Sequence, residues 1–178
     1  MTGLAGSGKS AALGTLSDLG IEVLDADQVA RDVRSSPAVR RKIASRLGVS
    51  EEFTDGELRE KLLGDDSARR QLNRILHSEI FATILEARAQ VVEIPLLVEA
   101  VLFPFFDETW FISAQKEVIE ERLTARLGSA EAGKKLLSTQ LPQEVKSLFC
   151  TRVIDNSGTL TETQLAVEEA ARSCQLLG

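Results

Sequence analysis

Eight residues near the start, Gly3-Leu4-Ala5-Gly6-Ser7-Gly8-Lys9-Ser10, fit the spacing GxxxxGK[ST] and run straight into a helical stretch, Ser10 to Leu19, that stops at Gly20. No other feature of the chain narrows the possible folds as much. Gly3, Gly6 and Gly8 permit close backbone approach and unusual dihedrals, so the loop amides can turn inward at a helix N-terminus and form a nest for an anion. Lys9 can then reach outer phosphates, and the Ser10 hydroxyl can ligate magnesium. The competing reading is a glycine turn before an ordinary helix.

The rest of the chain alternates short apolar runs with helical patterns. Ile21 to Leu24 predicts a buried parallel strand with two carboxylates, Asp25 and Asp27, at its carboxyl end, where ligands of open α/β sheets bind. From Val29 to Gly64 the pattern predicts short helices and loops, broken at Ser35-Ser36-Pro37 and near Thr54-Asp55-Gly56. A long helix capped by Asp65 or Asp66 follows, with Leu72, Leu76, Ile80 and Ile84 every fourth residue and Ile75 beside them. Strands are expected at Val91 to Ile94, Thr109 to Ile112 and Arg152 to Ile154, and helices at Val118 to Leu127 and around Pro142. A break is expected over Gly128 to Gly133, and a last helix near Thr161, where TETQ matches a capping box. This order predicts an α/β fold with a mostly parallel sheet, in one domain spanning residues 1–178.

Composition removes other classes. With 27 acidic and 21 basic residues, a net charge of -6 and no dense Lys/Arg block, the chain lacks the electrostatic footprint of a nucleic-acid binder. No apolar run approaches the ~20 residues of a membrane span, and no secretory signal is legible, so a cytoplasmic protein with reduced thiols is expected. Cys150 and Cys174 are 24 residues apart and His77 is the one histidine, which argues against zinc. A guanine-specificity NKxD sequence is missing, since Asn73 precedes Arg74 and Asn156 precedes Ser157. These features favour a small-molecule kinase. Such an enzyme needs a carboxylate to orient the attacking hydroxyl and arginines to cover the phosphates.

Read in order, GLAGSGKS, VLDADQVARDV, LNRILHSEI, EIPLLVE, ERLTAR, QLPQEVK and VIDNSG resemble the successive motifs of the dephospho-CoA kinase family. The resemblance implies a three-layer P-loop fold of the nucleoside-monophosphate-kinase type with a five-stranded sheet. It implies transfer of the γ-phosphate of ATP to the ribose 3′-hydroxyl of dephospho-CoA, with magnesium, by a monomer that uses no nucleic acid or membrane. A helical coenzyme-A-side region would occupy residues 30–90, and a lid with its flanking helices residues 122–146.

Carried over by position, the resemblance makes Gly3, Leu4, Ala5, Gly6, Ser7, Gly8, Lys9, Ser10 and Ala11 the ATP-phosphate loop, with Ser10 on magnesium. Asp27 becomes the catalytic base, against helix capping as the plain reading. Asp25 would ligate magnesium through water or cap the following helix. Arg126 becomes the lid arginine that neutralises charge on the transferring phosphoryl group, and Arg122, four residues earlier, shares its face. The bland account of both is a solvated surface pairing with Glu117, Glu120 and Glu121. Arg31, His77, Glu93 and Leu96 fall on the substrate side, though His77 is also readable as structural. Asn156 would approach the adenine or ribose of ATP, or serve a turn.

Several positions depart from the family pattern. Only Met1 and Thr2 precede Gly3, so the first strand is expected to be largely absent and the sequence to derive from a shortened gene model. Glu93 replaces an aspartate, Ser78 a proline, Ile119 a glutamine, and Cys150-Thr151 an Ala-Asp pair. Asp55 to Asp65 is a few residues short. Two alternatives remain at this point: a P-loop kinase with another nucleoside, nucleotide or small-alcohol acceptor, and a degenerate homologue that binds ATP without turnover.

Overall fold

The computed structural model describes residues 1–177. In chain order its elements are β1 (Thr2–Gly3), α1 (Lys9–Asp18), β2 (Val23–Asp25), α2 (Ala26–Ser35), α3 (Pro37–Leu47), α4 (Asp55–Leu62) and α5 (Asp66–Ala87). Then come β3 (Val91–Glu93), a 3-10 turn at Phe103–Phe105, β4 (Trp110–Ser113), α6 (Lys116–Leu127), α7 (Ala130–Leu137), α8 (Gln143–Ser147), β5 (Arg152–Asp155) and α9 (Leu160–Ser173). They divide into two compact units, one of Met1–Leu24 with Gln90 onward, the other Asp25–Ala89.

In the first unit β4 pairs in parallel with β1 on one side, Thr2 opposite Phe111, and with β5 on the other, Phe111 opposite Val153. On the other edge of β1 the backbone bonds are made by Met1. Its amine donates to the Val92 carbonyl at 2.7 Å and its carbonyl accepts from the Ile94 amide at 2.9 Å, so residue 1 straddles Glu93 as a parallel neighbour does. The strands form a three-stranded sheet, β1-β4-β5, and a two-stranded one, β2-β3, which the Met1 bonds join in the order β2-β3-β1-β4-β5. The expected loss of the first strand is therefore corrected to a shortening. Three residues keep the central place because their backbone groups bond on both sides, and Thr2 is fully buried.

The apolar faces of α1 and α9 meet over this sheet, burying Ala12, Leu16, Val167, Ala170 and Ala171 with Trp110, Ile112 and Ile154. A smaller cluster, Ala114, Ile119 and Leu123, packs against Leu4 and Ala5 and so supports the glycine loop from below. Two expected boundaries move. The break after α6 is confined to Gly128, in the left-handed region at φ 69°, and Ser129, because the Ser129 side chain caps α7 and Gly133 lies inside it. The capping box of α9 is Thr159 with Glu162, two residues earlier than TETQ suggests. Thr159 and Thr161 are both competent caps, and the turn after β5 selects the first.

In the second unit α5 is the long spine, capped by Asp65, whose carboxylate accepts from the Ala68 amide at 2.8 Å. It contacts α2, α3 and α4. Val29, Val33, Val39, Ile43, Leu47, Leu58, Leu72 and Ile84 are buried. Leu76 and Ile80 are only half-buried. Thr54 and Glu57 form the capping box that starts α4, so the break near Thr54 is a helix start. β2, expected to be buried, is half-buried along its length because it sits at the end of the strand order.

Candidate active site

The loop Leu4–Gly8 leaves β1 and turns into α1 in the geometry its glycines allow. Gly6 and Gly8 hold φ of 82° and 92°, and the amides of Gly6, Gly8 and Ser10 find no acceptor among the described residues. Donors left at a helix N-terminus in this way suit a phosphate. A Cβ on Gly3 would stand 2.5 Å from the Ile112 carbonyl, and one on Gly6 2.9 Å from Leu123. Close packing therefore reserves both positions for glycine.

Lys9 is buried along its stem, and its ammonium sits 3.1 Å from the Leu4 carbonyl and 3.8 Å from Glu93 Oε1. The carbonyl of Leu4 also accepts from the Ser7 amide at 3.1 Å, so the lysine and the loop share one anchor. Glu93, a methylene longer than the aspartate it replaces, reaches Lys9 from the end of β3. Ser10 and Ala11 lie in the first turn of α1, with the Ser10 hydroxyl at the exposed surface.

The Asn156 side chain does not serve the turn after β5. It is buried beneath the loop, donating from Nδ2 to the Ser7 carbonyl at 2.7 Å and accepting at Oδ1 from the Thr163 hydroxyl at 2.5 Å. The turn role belongs to Asp155, whose carboxylate accepts from the amide and hydroxyl of Ser157. Arg122, half-buried, points its guanidinium at the same Ser7 carbonyl at 3.5 Å, the outer limit of a hydrogen bond. Arg126 is exposed one turn further on. Neither arginine takes a carboxylate partner among the described residues; Glu120 pairs instead with Lys116. The expected pairing with Glu117, Glu120 and Glu121 is not seen, and Arg126 keeps a solvated place on the helix face.

In the second unit the two aspartates separate their tasks. Asp25 is the cap of α2, its carboxylate accepting from the Asp27 amide at 2.8 Å and from Gln28 at 3.3 Å. Asp27, one turn in, is exposed and caps nothing. Arg31 bonds Gln28 on its own helix, and His77 is exposed on α5. Leu96, in the first unit just past β3, is 47% exposed beside buried Leu97. Sequence reasoning missed the roles of Thr163, Gln140 and Lys146. The last two lie in the QLPQEVK segment, where polar residues three apart were a usable signal.

Comparison with known proteins agrees with this geometry. The family model described as dephospho-CoA kinase matches residues 1–162. A dephospho-CoA kinase of Geobacter sulfurreducens is 34% identical over 185 residues, covering 95% of this chain and 94% of that protein. One from Dehalococcoides mccartyi is 29% identical, covering 97% and 94%. Among solved structures, a Thermus thermophilus protein superposes with a TM-score of 0.78 at 28% identity over 99% of this chain and 96% of that one. A dephospho-CoA kinase from Campylobacter jejuni shares the fold, with a TM-score of 0.58 at 23% identity over 97% and 95%. A glycine nest with a buried lysine, on this strand order and with the family match running over residues 1–162, leaves one conclusion: the chain belongs to the dephospho-CoA kinase family of ATP-dependent phosphotransferases.

Proposed function

We propose that the chain transfers the γ-phosphate of ATP to the ribose 3′-hydroxyl of dephospho-CoA with Lys9, Asp27 and Arg126 as its catalytic residues. The observation that carries this reading is the buried Lys9 ammonium at the mouth of the glycine nest, held by Leu4 and Glu93. The loop from Gly3 to Ala11 receives the phosphates through its free amides of Gly6, Gly8 and Ser10, and Lys9 offsets the charge of the outer ones. Asp27 accepts the proton of the attacking hydroxyl. Its exposure and its freedom from capping support that assignment, since Asp25 already satisfies the helix start. Arg126 covers the transferring group and Arg122 holds the loop while facing the phosphates.

The Ser10 hydroxyl, exposed in the first helical turn, is the residue that would hold magnesium; when bound, the ion neutralises charge on the phosphate oxygens. Asp25, Arg31, His77, Glu93 and Leu96 complete the substrate side. We place the enzyme in the cytoplasm as a monomer acting through one kinase domain; no helix among the described residues is long and apolar enough to cross a membrane.

ADP release from magnesium-ATP, with and without dephospho-CoA, tests the reading. Release should depend on the acceptor and disappear in Lys9→Ala. In Asp27→Asn, kcat should fall at least a hundredfold with little change in ATP affinity, as loss of a general base requires. Full activity in Asp27→Asn would remove it from the mechanism.

A further inference from the structure

No residue from Gln140 to Lys146 was assigned to the site above, yet three of their side chains each hold a backbone group, one of them in the glycine loop. Gln140 Oε1 accepts from the Ala5 amide at 3.0 Å. Gln143 Oε1 accepts from the Ala114 amide, at the end of β4, at 3.3 Å. The Lys146 ammonium, fully buried, donates to the Pro95 carbonyl at 2.7 Å and pairs with Glu99 at 3.1 Å. Glu99 in turn accepts from the Leu141 amide at 3.1 Å, which closes the segment on itself.

Two of these contacts fall on the partners of Lys9. Leu4 C=O and Ala5 N–H are the two ends of one planar peptide unit and point in opposite directions. Lys9 and the Ser7 amide grip the carbonyl end at 3.1 Å each, and Gln140 grips the N–H end. Rotating that plane would turn the carbonyl away from the ammonium, and Gln140 opposes the rotation. The second partner, Glu93, lies two residues before Pro95, whose carbonyl is held by Lys146 and by the Thr2 hydroxyl at 3.1 Å. These two anchors of Lys9, Leu4 and Glu93, are therefore braced from one segment.

We propose that Gln140 is a positioning residue for Lys9, acting through the Leu4–Ala5 peptide, with Lys146 bracing the Glu93 side. This rests on the reading of Lys9 as the phosphate-binding lysine. A positioning role differs from general support of the fold in one measurable respect: the effect of Gln140 on ATP should vanish once Lys9 is gone.

The test is a double-mutant cycle on the full chain, with equilibrium binding of magnesium-ATP as the readout and adenosine as the probe without phosphates. Gln140→Ala should weaken ATP roughly three- to tenfold, as the loss of one hydrogen bond predicts, and leave adenosine binding unchanged. In the Lys9→Ala background it should change nothing further. Gln140→Glu keeps an acceptor oxygen and should restore most ATP affinity, while Gln140→Met, which keeps the packing, should behave as Gln140→Ala does. An equal loss with and without Lys9, or unchanged ATP binding in both Gln140→Ala and Gln140→Met, would overturn the proposal. If Lys9→Ala itself leaves ATP affinity intact, the functional reading of Lys9 fails instead.

Discussion

Replacing Gly8 with alanine separates loop geometry from loop composition, because the structure assigns the cost to specific atoms. Gly8 holds φ 92° at the N-cap of α1, where an L side chain costs about 1 to 2 kcal/mol. The added Cβ would also fall well inside contact distance of Asn156 Nδ2. Asn156 must then move and lose its bonds to the Ser7 carbonyl and to Thr163, both in a buried setting. At about 1 to 2 kcal/mol each, the total comes to about 3 to 6 kcal/mol, a large share of the ~5 to 15 kcal/mol that holds a domain together. For a chain of this length that is a fall in Tm of about 6 to 24 °C. Trp110, the one tryptophan and 4% exposed, reports the transition through its fluorescence. The decisive comparison is with Asn156→Ala, which removes the obstructing atoms. In that background Gly8→Ala should cost only the backbone portion, so the double variant should be far less destabilised than the sum of the singles. Strict additivity, or a Tm for Gly8→Ala within about 2 °C of the unaltered chain, would refute the steric argument.

Two further predictions concern charge. Lys146→Met should destabilise the chain by about 2 to 4 kcal/mol in urea unfolding, because it strands the mostly buried Glu99 carboxylate; Glu99→Gln in the same chain should recover part of the loss, and no recovery would show that packing alone was removed. The Glu162 carboxyl is held below its ordinary value of 4.5, first by the Thr159 backbone N–H and then by its hydroxyl. A carboxyl whose value is lower in the folded chain contributes stability that is present above about 4.5 and lost as pH falls through the lowered value. Amide exchange in the first turn of α9, corrected for intrinsic rates, should therefore speed up at pH 3 relative to pH 6, while exchange that stays equal would contradict the cap.

The glycine loop, the spine α5 and β3 to β5 were legible because each rests on a local rule: a spacing, a period or a turn residue; which of Asp65 and Asp66 caps α5 was settled by the structure. Short-range rules also place Lys9, Ser10, Asp25 and Asp27 at element ends, where ligands bind. They failed where two local options were equal, as between Thr159 and Thr161, and where a glycine inside a helix, Gly133, imitated a break. The absence of an apolar run before Gly3 also misled. A strand's place depends on bonds to both neighbours, and Met1 to Gly3 make those bonds without the length that periodicity needs.

The sequence by itself therefore determined the kind of chemistry, since phosphate cradling follows from which residues stand next to one another along the chain. Only the tertiary structure decided what supports that chemistry. Asn156 lies 149 residues from Ser7, Gln140 135 from Ala5 and Lys146 51 from Pro95, and no spacing rule reaches that far. Those hydrogen bonds exist because parallel strands carry chain ends that are distant in sequence to the same edge of the sheet, where a single side chain can hold a loop in the orientation its lysine requires.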